Sequence, residues 1–176
     1  MSWVSPLWKA PLPLKIKIFV WQLLRDRLPL GVEVAKRLGP GDSSCPLCAV
    51  PESGVHILFT CPAARFLWNF LAEALGPEWR AQDLGEFLEV QANRTGKGRR
   101  LFWLVFAAMT WTLWTIRNKM VIERVFLRRA SDSVFKFLAF MQQWHPLCRR
   151  RDRARLDGIL ARLLVTARRL LASSSR

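Results

Sequence analysis

The chain has 176 residues, 51% of them hydrophobic and nine of them tryptophan, so it can bury a core as one domain or as a small domain with an extension. Its net charge of +15 favours a polyanionic partner, nucleic acid first and acidic lipid second. The absence of tyrosine excludes the Y-x-D-D box of a polymerase, and no glycine-rich phosphate loop is present.

Apolar residues recur at helical spacing along most of the chain, which predicts a mainly α fold with almost no β alternation. The first predicted helix is ended by Pro29 and Gly31, a later one is opened by Asp83, and Ser131 is the expected N-cap of another. The predicted helices cover about residues 13–27, 31–38, 63–75, 83–91, 101–126, 131–144 and much of 149–176.

These helices divide the chain into four expected regions. A small helical domain covers residues 3–75, and residues 76–98 form a linker with a short helix. Residues 99–147 form an apolar helical region, and residues 148–176 form a basic amphipathic helix with a disordered end. The expected architecture is therefore a small helical domain followed by a helical extension.

The segment from Leu101 to Ile116 has sixteen residues without a charge. It is shorter than the roughly 20 apolar residues that span a bilayer, and it contains three threonines. A buried helix, or one that faces a protein partner over residues 101–126, explains it better than a membrane span. Trp103, Trp111 and Trp114 could stack on bases, but their positions on an apolar helix favour packing in the core.

Residues 149–176 carry nine arginines and two aspartates, a local charge of +7, with leucines recurring at helical spacing. This basic amphipathic helix could lie on phosphates, on an anionic membrane or in a partner groove. The alternatives are a solvated helix that docks on the body of the protein and a frayed tail.

Three of the four cysteines and one of the two histidines fall within seventeen residues, in the spacing C-x2-C-x7-H-x4-C. Three thiolates and one imidazole suit tetrahedral Zn²⁺, and a two-residue gap lets a tight turn direct two sulfurs at one ion. One helical turn could place the histidine and the last cysteine on the same face. The predicted zinc ligands are Cys45, Cys48, His56 and Cys61. With them, the domain at residues 3–75 is expected to be a small helical zinc-binding domain with its site between helices.

Other roles for these residues stay open at this point. Cysteines are often small buried hydrophobic residues, and a lone C-x2-C can be a redox dithiol. Cys148, beside His145, is far away in sequence and could at most supply a replacement ligand. A zinc hydrolase with Glu52 as base is disfavoured, because four protein ligands leave no open position for water. We therefore expect a structural metal and no enzymatic activity.

A longer set of residues surrounds the metal ligands. Trp8 precedes a P-x-K-x-x-x-F-x-W run at 13–21, which leads to Leu28-Pro29. The remaining elements, in order, are Cys45-Pro46-Leu47-Cys48, then His56-Ile57-Leu58-Phe59-Thr60-Cys61-Pro62, Trp68, and a weaker W-x-x-R-N segment at 114–118. In this order, over about residues 3–72, the chain resembles the zinc-binding domain found downstream of the polymerase in plant non-LTR (LINE-type) retrotransposon reverse transcriptases.

The sequence departs from that family in two places. The glutamate that usually stands shortly before the histidine is replaced by Ser53-Gly54-Val55, with Glu52 slightly early, and Ile57 replaces the leucine after the histidine. We expect these changes to affect fine packing and not the metal ligands.

The resemblance implies a retroelement-derived protein that helps to hold RNA or DNA. Basic residues around the zinc unit would meet phosphates without reading sequence. The candidates are Lys15, Lys17, Arg25, Arg27, Lys36 and Arg37. The alternatives are a structural or protein-interaction module, or a relic, without nucleic-acid binding, and a membrane-surface protein. No secretory signal pattern is seen, so we expect reduced thiols in the nucleus or cytoplasm.

Overall fold

The computed structural model describes residues 3–31, 43–92 and 96–174. Its helices are α1 (Val4–Trp8), α2 (Leu14–Leu24), α3 (Pro62–Leu75), α4 (Leu84–Ala92), α5 (Gly96–Asn118), α6 (Ser131–Trp144) and α7 (Arg150–Ser174). Two π-helical turns lie at His56–Thr60 and Lys119–Glu123, and two 3₁₀ turns at Pro77–Trp79 and His145–Leu147. Within these described ranges no strand forms, and the extended pairing consists of one isolated antiparallel bridge between Ser44 and Pro51. The prediction of a mainly α fold is therefore confirmed.

Helix α5 is the centre of the molecule. It contacts α1, α2, α3, α6 and α7, and every residue from Leu101 to Thr110 is buried. A helix that is apolar on all sides must be covered on all sides, which explains why this segment lacks charges. Its buried hydroxyls are satisfied within the helix, since Thr110 donates to the Phe106 carbonyl at 2.9 Å and Thr112 to the Ala108 carbonyl at 2.7 Å.

The burial of α5 decides between the interpretations of the uncharged segment. In the described part of the chain, no helix combines the length and the hydropathy that crossing a bilayer requires. The uncharged segment forms the core, and the α-helix ends at Asn118, earlier than the predicted Phe126. Of the residues predicted to meet a protein partner, the stretch that remains strongly exposed lies after the helix, at Ile122, Val125 and Phe126.

The tryptophans of α5 pack inward. Trp103 is fully buried, and its ring lies edge-on to Phe87 and Phe106 at 5.6 and 5.9 Å between centroids. Trp111 and Trp114 pack on Phe19 of α2 at 5.0 and 5.8 Å. These rings therefore join α5 to its neighbours.

Helix α7 docks on the body through its apolar face. Leu156, Leu160 and Leu163 are buried, and α7 contacts α3, α5 and α6. Its first turn is fixed by the nearly buried Asp152 carboxylate, which accepts hydrogen bonds from Arg100 of α5 at 2.9 and 3.1 Å. Of the roles left open for this segment, the structure shows the docked helix, with its arginines turned mostly to solvent. The expected disordered end is described as helical up to Ser174.

Several element boundaries differ from the sequence predictions. Helix α2 ends at Leu24 because Asp26 adopts a left-handed conformation (φ 50°). The Arg27 amide then donates to the Gln22 carbonyl and the Asp26 amide to the Leu23 carbonyl, which is the hydrogen-bond pattern of a Schellman motif. Pro29 and Gly31 are therefore not needed to stop the helix, and the predicted helix at 31–38 lies largely outside the described residues.

The predicted caps have different outcomes. Asp83 is the predicted cap of α4, and its carboxylate accepts from the Glu86 amide at 2.9 Å. Ser131 does not cap α6. Asp132 accepts from the Arg129 amide at 3.1 Å instead, so the carboxylate one residue later satisfies a free donor at the helix start.

The prediction of four regions stays a prediction. Residues from each of them contribute to one hydrophobic cluster, which extends from Leu7 in α1 to Ala167 in α7.

Two glycines should respond oppositely to alanine. A Cβ atom at Gly158 of α7 meets no heavy atom within 4 Å, whereas Gly76 has φ 121° and its added Cβ would also meet the Glu78 carboxylate. Gly158→Ala should raise the free energy of unfolding by about 0.5–1 kcal/mol, because alanine loses less backbone entropy in a helix. Gly76→Ala should lower it by about 1 kcal/mol or more. Urea denaturation of both variants checks this pair, and a destabilised Gly158→Ala variant would contradict the exposed position of that face.

Candidate metal centre

The first two ligands lie at the tip of a short hairpin over residues 43–52. The Cys45 amide donates to the Val50 carbonyl at 2.8 Å, and the Cys45 carbonyl accepts from the amides of Cys48 and Ala49 at 3.4 and 2.8 Å. Ala49 turns the chain in a left-handed conformation (φ 58°). The turn therefore places both sulfurs on one side, as the two-residue gap predicts.

The other two ligands flank the first π-helical turn. Cys61 follows His56 by five residues, a separation that an α-helical turn of 3.6 residues would rotate to different sides. The wider turn closes with a hydrogen bond of 2.7 Å from the Cys61 amide to the His56 carbonyl, the i→i+5 pattern of a π-helix. The expected helical turn is thus present, but only its π form brings the two ligands together.

Pro62 shapes the junction between the π-helical turn and α3. It is the first residue of α3, where its missing N–H costs nothing to that helix. The same missing N–H leaves the Leu58 carbonyl without its i+4 donor. The indole of Trp68 supplies one instead, at 2.8 Å, and its ring stacks on Phe59 at 5.7 Å between centroids. This contact gives a physical role to the tryptophan downstream of the cysteine-proline pair.

The four predicted ligand atoms meet at one point. All lie within 4.8 Å of one another, with Cys45 Sγ 3.9 Å from Cys61 Sγ and Cys48 Sγ 3.2 Å from His56 Nε2. Zinc–sulfur bonds of about 2.3 Å in a tetrahedron put two sulfurs about 3.8 Å apart. The donor set and its spacing therefore fit one Zn²⁺ ion with four protein ligands.

Burial sets the protonation of the ligands in the absence of an ion. It raises the pKa of the Cys61 thiol to about 12 and raises the pKa of Cys45 as well. It lowers the pKa of His56, so the imidazole is neutral at pH 7 and able to bind a metal. Because zinc binds thiolates, loading the site must release protons.

Thr60 lies against the other nitrogen of the imidazole. Its Oγ1 is 3.4 Å from His56 Nδ1, which carries the proton when Nε2 faces the metal. Such a contact fixes the tautomer and orients the ring. The His56 amide is held by the Ser53 hydroxyl at 3.1 Å. A cavity of about 450 Å³ beside Cys45 and Cys48 provides a path by which an ion can enter.

Glu52 ties the metal hairpin to the core. Its side chain is 2% exposed, and it accepts hydrogen bonds from the Arg117 guanidinium, at 2.8 Å to Oε1, and from the Gly31 amide, at 3.0 Å to Oε2. Gly31 approaches the hairpin so closely that a Cβ there would lie 2.9 Å from the Ser43 Cα. From the sequence, Glu52 is a departure from the family pattern and Arg117 is part of a weak W-x-x-R-N match. The structure pairs these two residues across 65 positions of the chain.

The other candidates lie outside this centre. Cys148 is not part of the cluster, and His145 Nε2 is 2.8 Å from Asp157 Oδ1 instead. Among the basic candidates, Lys15, Arg25 and Arg27 are exposed, and Lys17 Nζ donates to the Trp8 carbonyl at 2.8 Å. Lys36 and Arg37 lie outside the described residues. The assignment of these residues to nucleic-acid contact stays a prediction.

Glu52→Gln should destabilise the zinc-loaded protein by about 3–5 kcal/mol, because it leaves the Arg117 charge buried without its partner. The double variant Glu52→Gln/Arg117→Met should lose less than the sum of the two single variants, since no unpaired charge remains. Urea denaturation measures the cycle. Glu89→Gln, at an exposed position of α4, is the control and should change stability by less than about 0.5 kcal/mol. Strict additivity in the cycle would contradict the role of this ion pair.

A comparison with known protein families agrees with this geometry. Residues 1–68 match the family model described as zinc-binding in reverse transcriptase. No curated protein and no solved structure matches the chain. The matched segment contains all four residues of the cluster. Over residues 1–68, this chain is therefore similar to the zinc-binding family of reverse transcriptases.

Proposed function

We propose that this protein is a non-enzymatic, retroelement-derived zinc module that binds RNA or DNA through phosphate contacts without reading the sequence. The surface that carries the proposal is the exposed side of α2 and the turn after it. Lys15, Arg25 and Arg27 are exposed there, with Asp26 as the one acidic residue of the segment 14–31. Such a surface attracts a phosphate backbone and gives affinity that falls steeply with salt.

Exposed aromatic rings lie among these cations. Trp8 and Trp21 are 41% and 37% exposed. The Arg25 guanidinium lies 5.7 Å from the Trp21 ring centroid, and Lys17 reaches the Trp8 backbone. Cations interleaved with accessible rings are typical of surfaces that bind single strands, because each base offers a face for stacking. These two rings support the proposal better than the tryptophans of α5, which pack in the core.

The metal would act on this function through the fold. The α2 face lies within the matched zinc-binding segment, and Gly31, soon after α2, is held by Glu52 of the metal hairpin. Loss of the ion would release the hairpin and with it the anchor of the α2 turn. Cys48→Ser should therefore abolish nucleic-acid binding although Cys48 itself contacts no phosphate.

A protein-interaction module is the second candidate, and one observation favours it. Leu14, Ile18 and Trp21 are 65%, 42% and 37% exposed and recur at i, i+4 and i+7 on the outer side of α2. An apolar stripe of this kind is typical of a helix that docks on a partner. If the protein has no affinity for nucleic acid at low salt, the protein-interaction function is favoured instead.

Fluorescence anisotropy with labelled single-stranded RNA over a salt series tests the proposal. The slope of the logarithm of the binding constant against the logarithm of the salt concentration is negative. The triple variant Lys15→Gln/Arg25→Gln/Arg27→Gln should make this slope shallower by about 2, because each of three lost phosphate contacts accounts for about 0.7. The matched control removes three exposed arginines of α7, in Arg162→Gln/Arg168→Gln/Arg169→Gln, and should keep the slope. Equal losses in both triple variants, or no binding at low salt, would contradict the assignment to α2.

A further inference from the structure

A cavity of about 440 Å³ lies beside the first π-helical turn and shares no lining residue with the cavity beside Cys45 and Cys48. It is lined by Thr60 of that turn, by Arg65, Trp68 and Asn69 of α3, and by Arg80 and Gln82 after the 3₁₀ turn. Its volume falls in the range of about 300–1,000 Å³ that is usual for small-molecule sites.

The charge of this cavity is positive. Its lining contains two arginines, both exposed, and no aspartate or glutamate, and the Glu86 carboxylate accepts a hydrogen bond from the backbone amide of the lining residue Gln82. Within the described residues, the structure records no hydrogen bond or ion pair for the Arg65 and Arg80 side chains, whereas Arg100 and Arg117 each pair with a carboxylate. Two guanidinium groups that line one cavity give it a positive potential, which favours an anion as its ligand. Guanidinium groups bind phosphate with two parallel hydrogen bonds, so a phosphate is the anion they suit.

The other residues that line the cavity could bind the sugar and the base of a nucleotide. Asn69 and Gln82 offer carboxamides that both donate and accept, and Thr60 offers a hydroxyl. The stacked rings of Phe59 and Trp68 form the apolar part of the lining. Hydroxyl groups and the polar edge of a planar base can meet such groups, so the set matches the parts of a nucleotide.

The cavity depends on the metal centre. Thr60 contacts His56 Nδ1, and Phe59 belongs to the same π-helical turn. Trp68 holds the Leu58 carbonyl of that turn. One wall is thus built by the segment that the metal fixes between His56 and Cys61.

We propose that this cavity binds a single nucleotide with a terminal phosphate, either free or at the end of a strand, with Arg65 and Arg80 holding the phosphate. The site is separate from the α2 surface and does not require that surface to bind nucleic acid.

Isothermal titration calorimetry of the zinc-loaded full chain tests the site with AMP and adenosine. AMP should bind at least about tenfold more tightly than adenosine, and Arg65→Gln and Arg80→Gln should each weaken AMP binding about tenfold or more, since each removes charged hydrogen bonds. Arg162→Gln of α7 is the charge-matched control and should bind AMP within about twofold of the parent chain. Zinc content of each variant confirms that the centre is intact. Equal affinity for AMP and adenosine, unchanged affinity in both cavity variants, or no AMP binding would overturn the proposal.

Competition then separates the two sources of the ligand and separates this site from the α2 surface. If a short 5′-phosphorylated strand displaces AMP and the same strand with a 5′-hydroxyl does not, the ligand is the phosphorylated end of a strand. If neither strand displaces AMP, the ligand is a free nucleotide. Equal displacement by both strands would overturn the need for a terminal phosphate. Lys15→Gln/Arg25→Gln/Arg27→Gln should keep its AMP affinity, so loss of strand binding with AMP binding retained concerns only the α2 surface.

Discussion

The structure depends on one zinc site, whose four ligands join a short hairpin to a π-helical turn that secondary structure alone would not connect. The hairpin of Cys45 and Cys48 has one isolated bridge, and the π-helical turn between His56 and Cys61 is five residues long. Elements as short as these are rarely stable in isolation. A zinc ion bound by four ligand atoms that lie within 4.8 Å of one another links the hairpin to the π-helical turn, so each element stabilises the other. In zinc-finger peptides such an ion contributes about 10–16 kcal/mol of folding free energy.

The buried ion pair extends this support into the core. Glu52 leaves the hairpin only four residues before His56 and meets Arg117 near the end of α5, the central helix of the core. The metal centre is therefore fixed from two directions, by the pair to α5 and by Trp68 to α3. The geometry of the α2 surface and of the cavity at Arg65 and Arg80 depends on these two connections. In this arrangement the metal would support both proposed binding surfaces without itself contacting the bound nucleic acid or nucleotide.

The sequence predicted the parts of this structure that rest on local chemistry. Ligand identity follows from thiol and imidazole spacing. Helix α3 follows from apolar periodicity bounded by proline and glycine, and α6 from apolar periodicity that begins at Ser131. The features it missed depend on contacts between distant residues or on single backbone angles. The Glu52–Arg117 pair joins positions 65 residues apart, and the left-handed Asp26 and the π-helical turn have no composition signal. The cavity at Arg65 and Arg80 needs the tertiary fold to bring its two arginines to one place.

Native mass spectrometry of the full chain, before and after treatment with a chelator, tests the metal centre most directly. We predict a mass shift of one zinc per chain, lost with the chelator, and no bound zinc in the Cys48→Ser variant. Hydrogen exchange on the same samples should then accelerate over residues 43–65 and α2, while α6 keeps its protection. A parent chain that carries no zinc, or that keeps its hairpin protected after the ion is removed, would contradict a metal-dependent fold.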